Sequence, residues 1–191
     1  MIGDDEYSIS KGYSWLEQNY SHVQWQRSVW NRYNLSRHNF NQWIIQHGRL
    51  LTLKRLGTFG ITQQSLCFLC GDNNETHQHL FHECIYVERC YQDLYQWLDV
   101  PSQFKGVTHP EKMLRKRGCS DFVRLVLISL IVALHYNIWN ARNVCRLEGY
   151  VMQPVIQVKC IQRESKLRLM TISKGKLKRV DKQWCKQRVL M

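Results

Sequence analysis

Not one Asp or Glu occurs between residues 18 and 71, a stretch that carries Arg27, Arg32, Arg37, Arg49, Lys54 and Arg55. Such a cation-only stretch calls for a polyanionic counterpart, because each phosphate neutralised releases counterions. Proline is scarce as well, at three residues, and glycine stands at ten. An all-β sandwich needs more turn residues than that, so helices are favoured. No apolar run exceeds the ten residues from Leu125 to Leu134, bounded by Arg124 and His135. That run is too short to cross a bilayer and reads as a buried helix, which argues against a membrane partner. The first residues, Met1-Ile2-Gly3-Asp4-Asp5-Glu6, are acidic where a secretory leader would be basic and then apolar. The expected location is therefore inside the cell, nuclear or cytoplasmic, where eight cysteines stay reduced and a tight Cys/His cluster points to metal.

Catalytic signatures are missing too. There is no Gly-rich phosphate loop, no Gly-x-Ser-x-Gly elbow and no His-Glu-x-x-His helix. A zinc deaminase would place His-x-Glu before Pro-Cys-x-x-Cys; here the Cys pair comes first and lacks the proline. Asp4-Asp5 imitates part of a polymerase hairpin, but only three residues precede it and no partner carboxylates support it. No catalytic residue is assigned, no small-molecule substrate is expected, and the chain is expected not to be an enzyme.

What is present supports one helical domain with an appendage. The chain of 191 residues is 44% hydrophobic, with seven Trp, nine Tyr and six Phe for a core. Its net charge of +12 is uneven: residues 1–22 are acidic, 72–150 balance, and 151–191 hold eleven Lys and Arg against Glu164 and Asp181. Apolar spacing predicts helices over 8–20 and over 24–33, the second on Trp25, Val29, Trp30 and Tyr33. A third, capped by Ser36 and stopped by Gly48, carries Phe40, Trp43, Ile44 and His47 at core-facing intervals. Thr52 caps a short turn with Leu53 and Leu56, and 57–66 reads as a loop. Tyr86, Cys90, Leu94, Trp97 and Leu98 mark the next helix. A long one runs from Asp121 as N-cap to Gly149 as C-cap. From Pro154 a last helix carries Val155, Val158, Ile161, Leu167 and Leu169, after which the Lys-rich tail loses periodicity.

The chemistry concentrates in CFLCGDNNETHQHLFHEC, where Cys67, Cys70, His79 and Cys84 stand as Cys-x2-Cys-x8-His-x4-Cys. Three thiolates and one imidazole satisfy one tetrahedral zinc ion. Cys67 and Cys70 can aim both sulfurs at one point across a tight knuckle, and Gly71 permits the positive φ such a turn requires. His79 and Cys84 are harder to bring together, since five α-helical residues leave side chains about 140° apart. A helix through His79 must therefore end or bend before Cys84. His77 and His82 compete for the fourth position, but His79 leaves Leu80 and Phe81 free to enter the core. Cys90, Cys119, Cys145, Cys160 and Cys185 have no ligand spacing and are taken as core or incidental.

These residues resemble the zinc-binding region near the C-terminus of plant non-LTR retrotransposon reverse transcriptases. The likeness rests on Cys67, Cys70, Glu75-Thr76, His79-Leu80-Phe81 and Cys84. It extends upstream to Tyr7-Ser8-Ile9, Gly12-Tyr13, Val29-Trp30-Asn31, His47 to Thr52 and Arg55-Leu56, and downstream to Tyr136 through Asn143, covering about residues 5 to 145. The resemblance implies a helical zinc-binding domain lying beyond a polymerase core, detached here from that core. The expected fold is all-α, a small helical domain stapled by one structural zinc knuckle. Residues 5–149 form that domain, with the zinc segment at 67–84, and 150–191 form a basic helical extension and tail.

Two functions follow. In the first, the chain binds RNA or DNA through Arg32, Arg37, Arg49, Lys54 and Arg55 together with Lys174, Lys176, Lys178 and Arg179. Trp30, Tyr33 and Trp43 would offer stacking faces, although helical spacing puts Trp30 and Trp43 in the core. In the second, zinc supplies folding energy and the helical surface docks on a polymerase core or another protein, or the chain is a remnant with no retained activity.

Overall fold

The strongest apolar pattern in the sequence becomes the central element. The computed structural model describes residues 8–10, 23, 25–99, 120–172 and 177–189. In chain order the helices are α1 (Gln26–Val29), α2 (Ser36–Gln46), α3 (Leu53–Thr58), α4 (Ile85–Trp97), α5 (Asp121–Glu148), α6 (Pro154–Ile172) and α7 (Arg179–Arg188), with a π-helical turn, His79–Glu83, ahead of α4. Among the described residues there is no β-strand, only an isolated antiparallel bridge between Leu66 and Asn74. The architecture is all-α, as expected. Most of the predicted helix at 8–20 and most of the 99–118 connection fall outside the described residues.

α5 is the axis on which the others pack. Val126, Ile128, Leu130, Val132, Leu134 and Ile138 are each at most 1% exposed, and full burial of such side chains stabilises by about 1.5–3 kcal/mol apiece. Ser120, not Asp121, caps it: its Oγ accepts from the Val123 amide at 3.2 Å and donates to Asp181 Oδ1 at 2.6 Å. Gly149 closes the helix at φ 68°. By length and composition α5 could cross a membrane, but 67% of its apolar window is buried within the protein, as a core helix requires.

Around that axis, α2 lies against α5, α4 packs on α6, and α6 also contacts α5. The basic C-terminal segment is thus part of the core. α6 buries Val158, Ile161 and Leu169, and Gln157 donates to Asn137 on α5. Val155 and Leu167, expected on its buried stripe, are exposed. Beyond it, α7 forms where no periodicity was read. Asp181 sits in its first turn and Lys186 and Arg188 in its last, as the helix dipole favours, while Cys185 and Val189 are buried.

Two expectations near the N-terminus need correction. The helix expected over 24–33 is one turn, α1, because asparagine side chains take over the backbone groups that would continue it. Asn34 Nδ2 donates to Ser28 O and Val29 O, and Asn31 Oδ1 accepts from the Tyr33 amide. Asn31 Nδ2 also donates to Leu125 O at 2.6 Å, tying this corner to α5. In α2 the extent is close to the reading, but Leu35 and not Ser36 is the N-cap, with no side-chain capping bond, and the buried face differs. His38, Asn41, Gln42 and Ile45 face inward, while Phe40 is 61% exposed and His47 lies on the surface.

The polar inner face of α2 is held by a buried histidine. His135 Nδ1 donates to Gln42 Oε1 at 2.8 Å, leaving Nε2 to accept the Tyr91 hydroxyl at 2.7 Å. Both nitrogens are thus engaged in the neutral tautomer. Burial, with His82 and His77 nearby, pushes His135 down to about 3, and burial, with Arg37 alongside, pushes His38 down to about 4. The unfolded chain takes up these protons near pH 6.5, so their stabilising contribution is complete above that value and erodes as pH falls toward 4 and 3. Between pH 6.5 and 5 the burial of His135 should cost about 2 kcal/mol. Urea unfolding of the native chain and of His135→Gln across that range checks this; the variant should show a shallower decline.

Candidate metal centre and basic surface

The knuckle is built from backbone bonds first. The Cys67 amide donates to Asn73 O at 2.8 Å, the Gly71 amide donates to Cys67 O at 2.8 Å, and the Glu75 amide donates to Ser65 O at 2.7 Å. Gly71 sits at φ 78°, the left-handed conformation expected of it. Cys67 and Cys70 therefore leave one tight turn with both sulfurs on the same side.

His79 and Cys84 meet them by a route that an α-helix does not offer. The chain widens into the π turn at His79, and the Cys84 amide donates to His79 O at 2.9 Å, an i to i+5 bond. That widening stacks Cys84 over His79 and removes the angular gap of an α-helix. Cys84 itself is extended, at ψ 127°, and serves as N-cap of α4. Thr76 starts the turn correctly by accepting the His79 amide on Oγ1 at 2.8 Å. Leu80 and Phe81, between the two ligands, are completely buried.

The four donor atoms lie within 4.8 Å of one another. Cys67 Sγ is 4.0 Å from Cys84 Sγ, and Cys70 Sγ is 3.3 Å from His79 Nε2. With Zn–S near 2.3 Å and Zn–N near 2.0–2.1 Å, a tetrahedral ion sets edges of about 3.8 Å between sulfurs and about 3.6 Å from sulfur to nitrogen. The donor set fits zinc in chemistry and in size. Without metal, the Cys84 partner and burial push the Cys67 thiol far up, while Cys84 is drawn down by Cys67. Binding of a metal ion would displace the protons of these thiols. His77 and His82 stay out of the cluster; His77 instead packs on Phe81 at 5.2 Å between centroids. Cys90, Cys145 and Cys185 are buried and Cys160 is exposed, while Cys119 falls outside the described residues.

The candidate cations among the described residues lie at the surface. Arg32, Arg49, Lys54, Lys178 and Arg179 are exposed and Arg55 is half-buried. Arg37 pairs with Glu164, Arg32 Nη2 donates to the Tyr33 hydroxyl at 2.6 Å, and Arg55 Nη1 donates to Gly48 O at 3.0 Å. Lys174 and Lys176 lie outside the described residues. Of the aromatics, Tyr33 is buried, Trp43 is half-buried, and Trp30, expected in the core, is 60% exposed because α1 ends before it can turn inward.

One pair of residues escaped sequence reasoning altogether. Glu75 and Arg142, 0% and 1% exposed, form a buried ion pair that joins the zinc loop to α5. Both stand within the quoted family motifs, but nothing in their spacing signals a contact across 67 residues.

Residues 7–91 match the family described as zinc-binding in reverse transcriptase. The match contains all four donors and ends within α4. No curated protein and no solved structure matches the chain. That stretch is similar to a reverse transcriptase zinc-binding domain, and the Cys3His cluster within it fits one structural zinc.

Proposed function

We propose, from a chain whose residues 7–91 match the family described as zinc-binding in reverse transcriptase, a non-catalytic module that binds RNA or DNA through its basic surface. Cys67, Cys70, His79 and Cys84 hold the zinc. Since four protein ligands close the tetrahedron, the ion has no open position for a water or substrate, and its role is structural. Zinc fixes the loop between α3 and α4, and the loop in turn holds the cations of α3 in place.

The observation that carries this reading is the disposition of the acid-free stretch. Arg27, Arg32, Arg49 and Lys54 are exposed, Arg37 is exposed and paired with Glu164 of α6, and residues 25–71 contribute no carboxylate of their own. A phosphate backbone meets attraction along it without repulsion from its own segment. A second reading, docking on a polymerase core or another protein, is favoured by the loop after α3, where Phe59, Ile61 and Leu66 are 57%, 63% and 48% exposed.

Titrating a labelled single-stranded RNA with the intact chain at several salt concentrations separates the two. Nucleic-acid binding predicts a log K that falls with log salt, and Arg49→Ala with Lys54→Ala should reduce the slope by about 1.4. Indifference to RNA and DNA at low salt would favour the protein partner. Truncation before α6 is unsuitable as a test because it strips the core of Val158, Ile161 and Leu169.

A further inference from the structure

The outer face of α2 carries rings that do nothing for the core. Phe40 and Trp43 lie stacked, 6.1 Å between centroids at 28°, Trp43 meets His47 edge-on at 5.0 Å, and His47 meets Trp25 edge-on at 5.4 Å. Phe40 is 61% exposed, His47 is exposed, and Trp25 and Trp43 are half-buried. α2 is fastened by its other side, through Gln42 to His135 and through Ile45 in the core. A continuous ladder of four rings at the surface is more aromatic area than fastening this helix requires.

The ladder leads to positive charge. The Arg49 amide donates to Ile44 O, and Arg55 holds Gly48 O, so both cations stand where α2 ends, beside His47. Lys54 follows on α3, and no acid occurs in this whole part of the chain. We propose that Trp25, His47, Trp43 and Phe40 form a stacking platform for unpaired bases of a single-stranded nucleic acid, with Arg49, Lys54 and Arg55 holding its phosphates. This rests on the nucleic-acid reading above and deepens it by naming the single strand.

Charge selects this occupant over the others. A second copy laid on the same face would oppose one acid-free cationic stretch to another, and an apolar peptide would leave the three cations without counterions. A single strand offers both a π-face on every base and a phosphate at every step. A duplex hides its base faces and gains only the phosphate contacts.

The test compares a twelve-nucleotide oligo-U RNA, oligo-dT of equal length, and a twelve-base-pair duplex, bound by native chain, Phe40→Ala, Trp43→Ala and Trp43→Tyr. Native protein should prefer the single strands. Each alanine variant should lose about tenfold in single-strand affinity with the salt slope unchanged, and Trp43→Tyr should recover most of it. Circular dichroism and zinc content confirm that the variants fold, and Phe40→Ala, at an exposed position, serves where Trp43→Ala does not. Equal affinity of native chain for duplex and single strand, or native affinity in the alanine variants, overturns the platform while leaving nucleic-acid binding intact. Self-association of the native chain in sedimentation that Phe40→Ala abolishes also overturns it. No binding of native chain to any of the three probes removes the underlying reading instead.

Discussion

Metal analysis of the purified chain should return one zinc per molecule, and its removal by a strong chelator should unfold the segment from α3 to the start of α4. The physical case is that, apart from the Glu75–Arg142 pair and the buried Leu and Phe side chains that anchor parts of it, the loops of this segment have little to hold them. Residues 57–66 and 71–74 are almost wholly exposed, and the knuckle has only a few backbone bonds and one isolated bridge. Without metal, the buried Cys67 and Cys84 thiols bond to each other and to nearby backbone amides. Structural zinc contributes about 10–16 kcal/mol in finger peptides that have no other core. Here α5, α6 and their neighbours supply a core of their own, so the loss should be local. Chelation should expose Arg49, Lys54, Arg55 and Arg89 to trypsin while α5 keeps its protected amides. Cys84→Ser should behave like chelated protein and fail to regain zinc. A stoichiometry near zero in protein kept reduced and metal-replete would sink the zinc reading and every function built on it.

The ligands were legible because coordination imposes its spacing on the sequence directly. Cys-x2-Cys before a glycine specifies a turn, and the angular mismatch between His79 and Cys84 announced that the helix had to change there. It did so by widening to a π turn, which residue types alone do not encode. The fold was legible where burial is apolar, as in α5, whose length and Gly149 stop could be read from the chain. It was misread where burial is polar. α2 turns Gln42 inward where α5 offers His135 as a partner and His38 inward against Tyr136, with Asn41 on the same face, and a hydrophobicity pattern registers those residues as surface. The same blindness hid α7, whose charges mask the buried Asp181 and Cys185. Aromatic residues set free by those polar contacts, Phe40 and Trp30 above all, then stand where a core was expected.

The largest effect of a substitution away from the ligands should come from Arg142 and Glu75. Arg142 Nε donates to Glu75 Oε1 and Oε2 at 3.0 and 3.1 Å, and Nη2 donates to Oε1 at 2.6 Å. Nη1 donates to Asn143 Oδ1, Nη2 also reaches Leu51 O, and the guanidinium lies 4.9 Å from the Trp139 ring and 5.4 Å from the Phe68 ring. Glu75 accepts the Leu53 amide on Oε1 at 2.9 Å, and its own carbonyl accepts the Lys54 amide. One carboxylate thus caps α3, anchors the zinc loop between Cys70 and His79, and neutralises a fully buried arginine. Replacing one partner strands the other charge out of water, so Arg142→Met or Glu75→Leu should each cost about 3–5 kcal/mol in urea unfolding, a large part of a domain's stability. The double replacement leaves no stranded charge and loses mainly the cap on the Leu53 amide, about 1 kcal/mol. The two single costs should therefore fall far short of additivity, with a coupling of several kcal/mol in the double-mutant cycle. Additive costs, or a single replacement costing under about 1 kcal/mol, would mean that the pair is solvated and does not tie the zinc loop to α5.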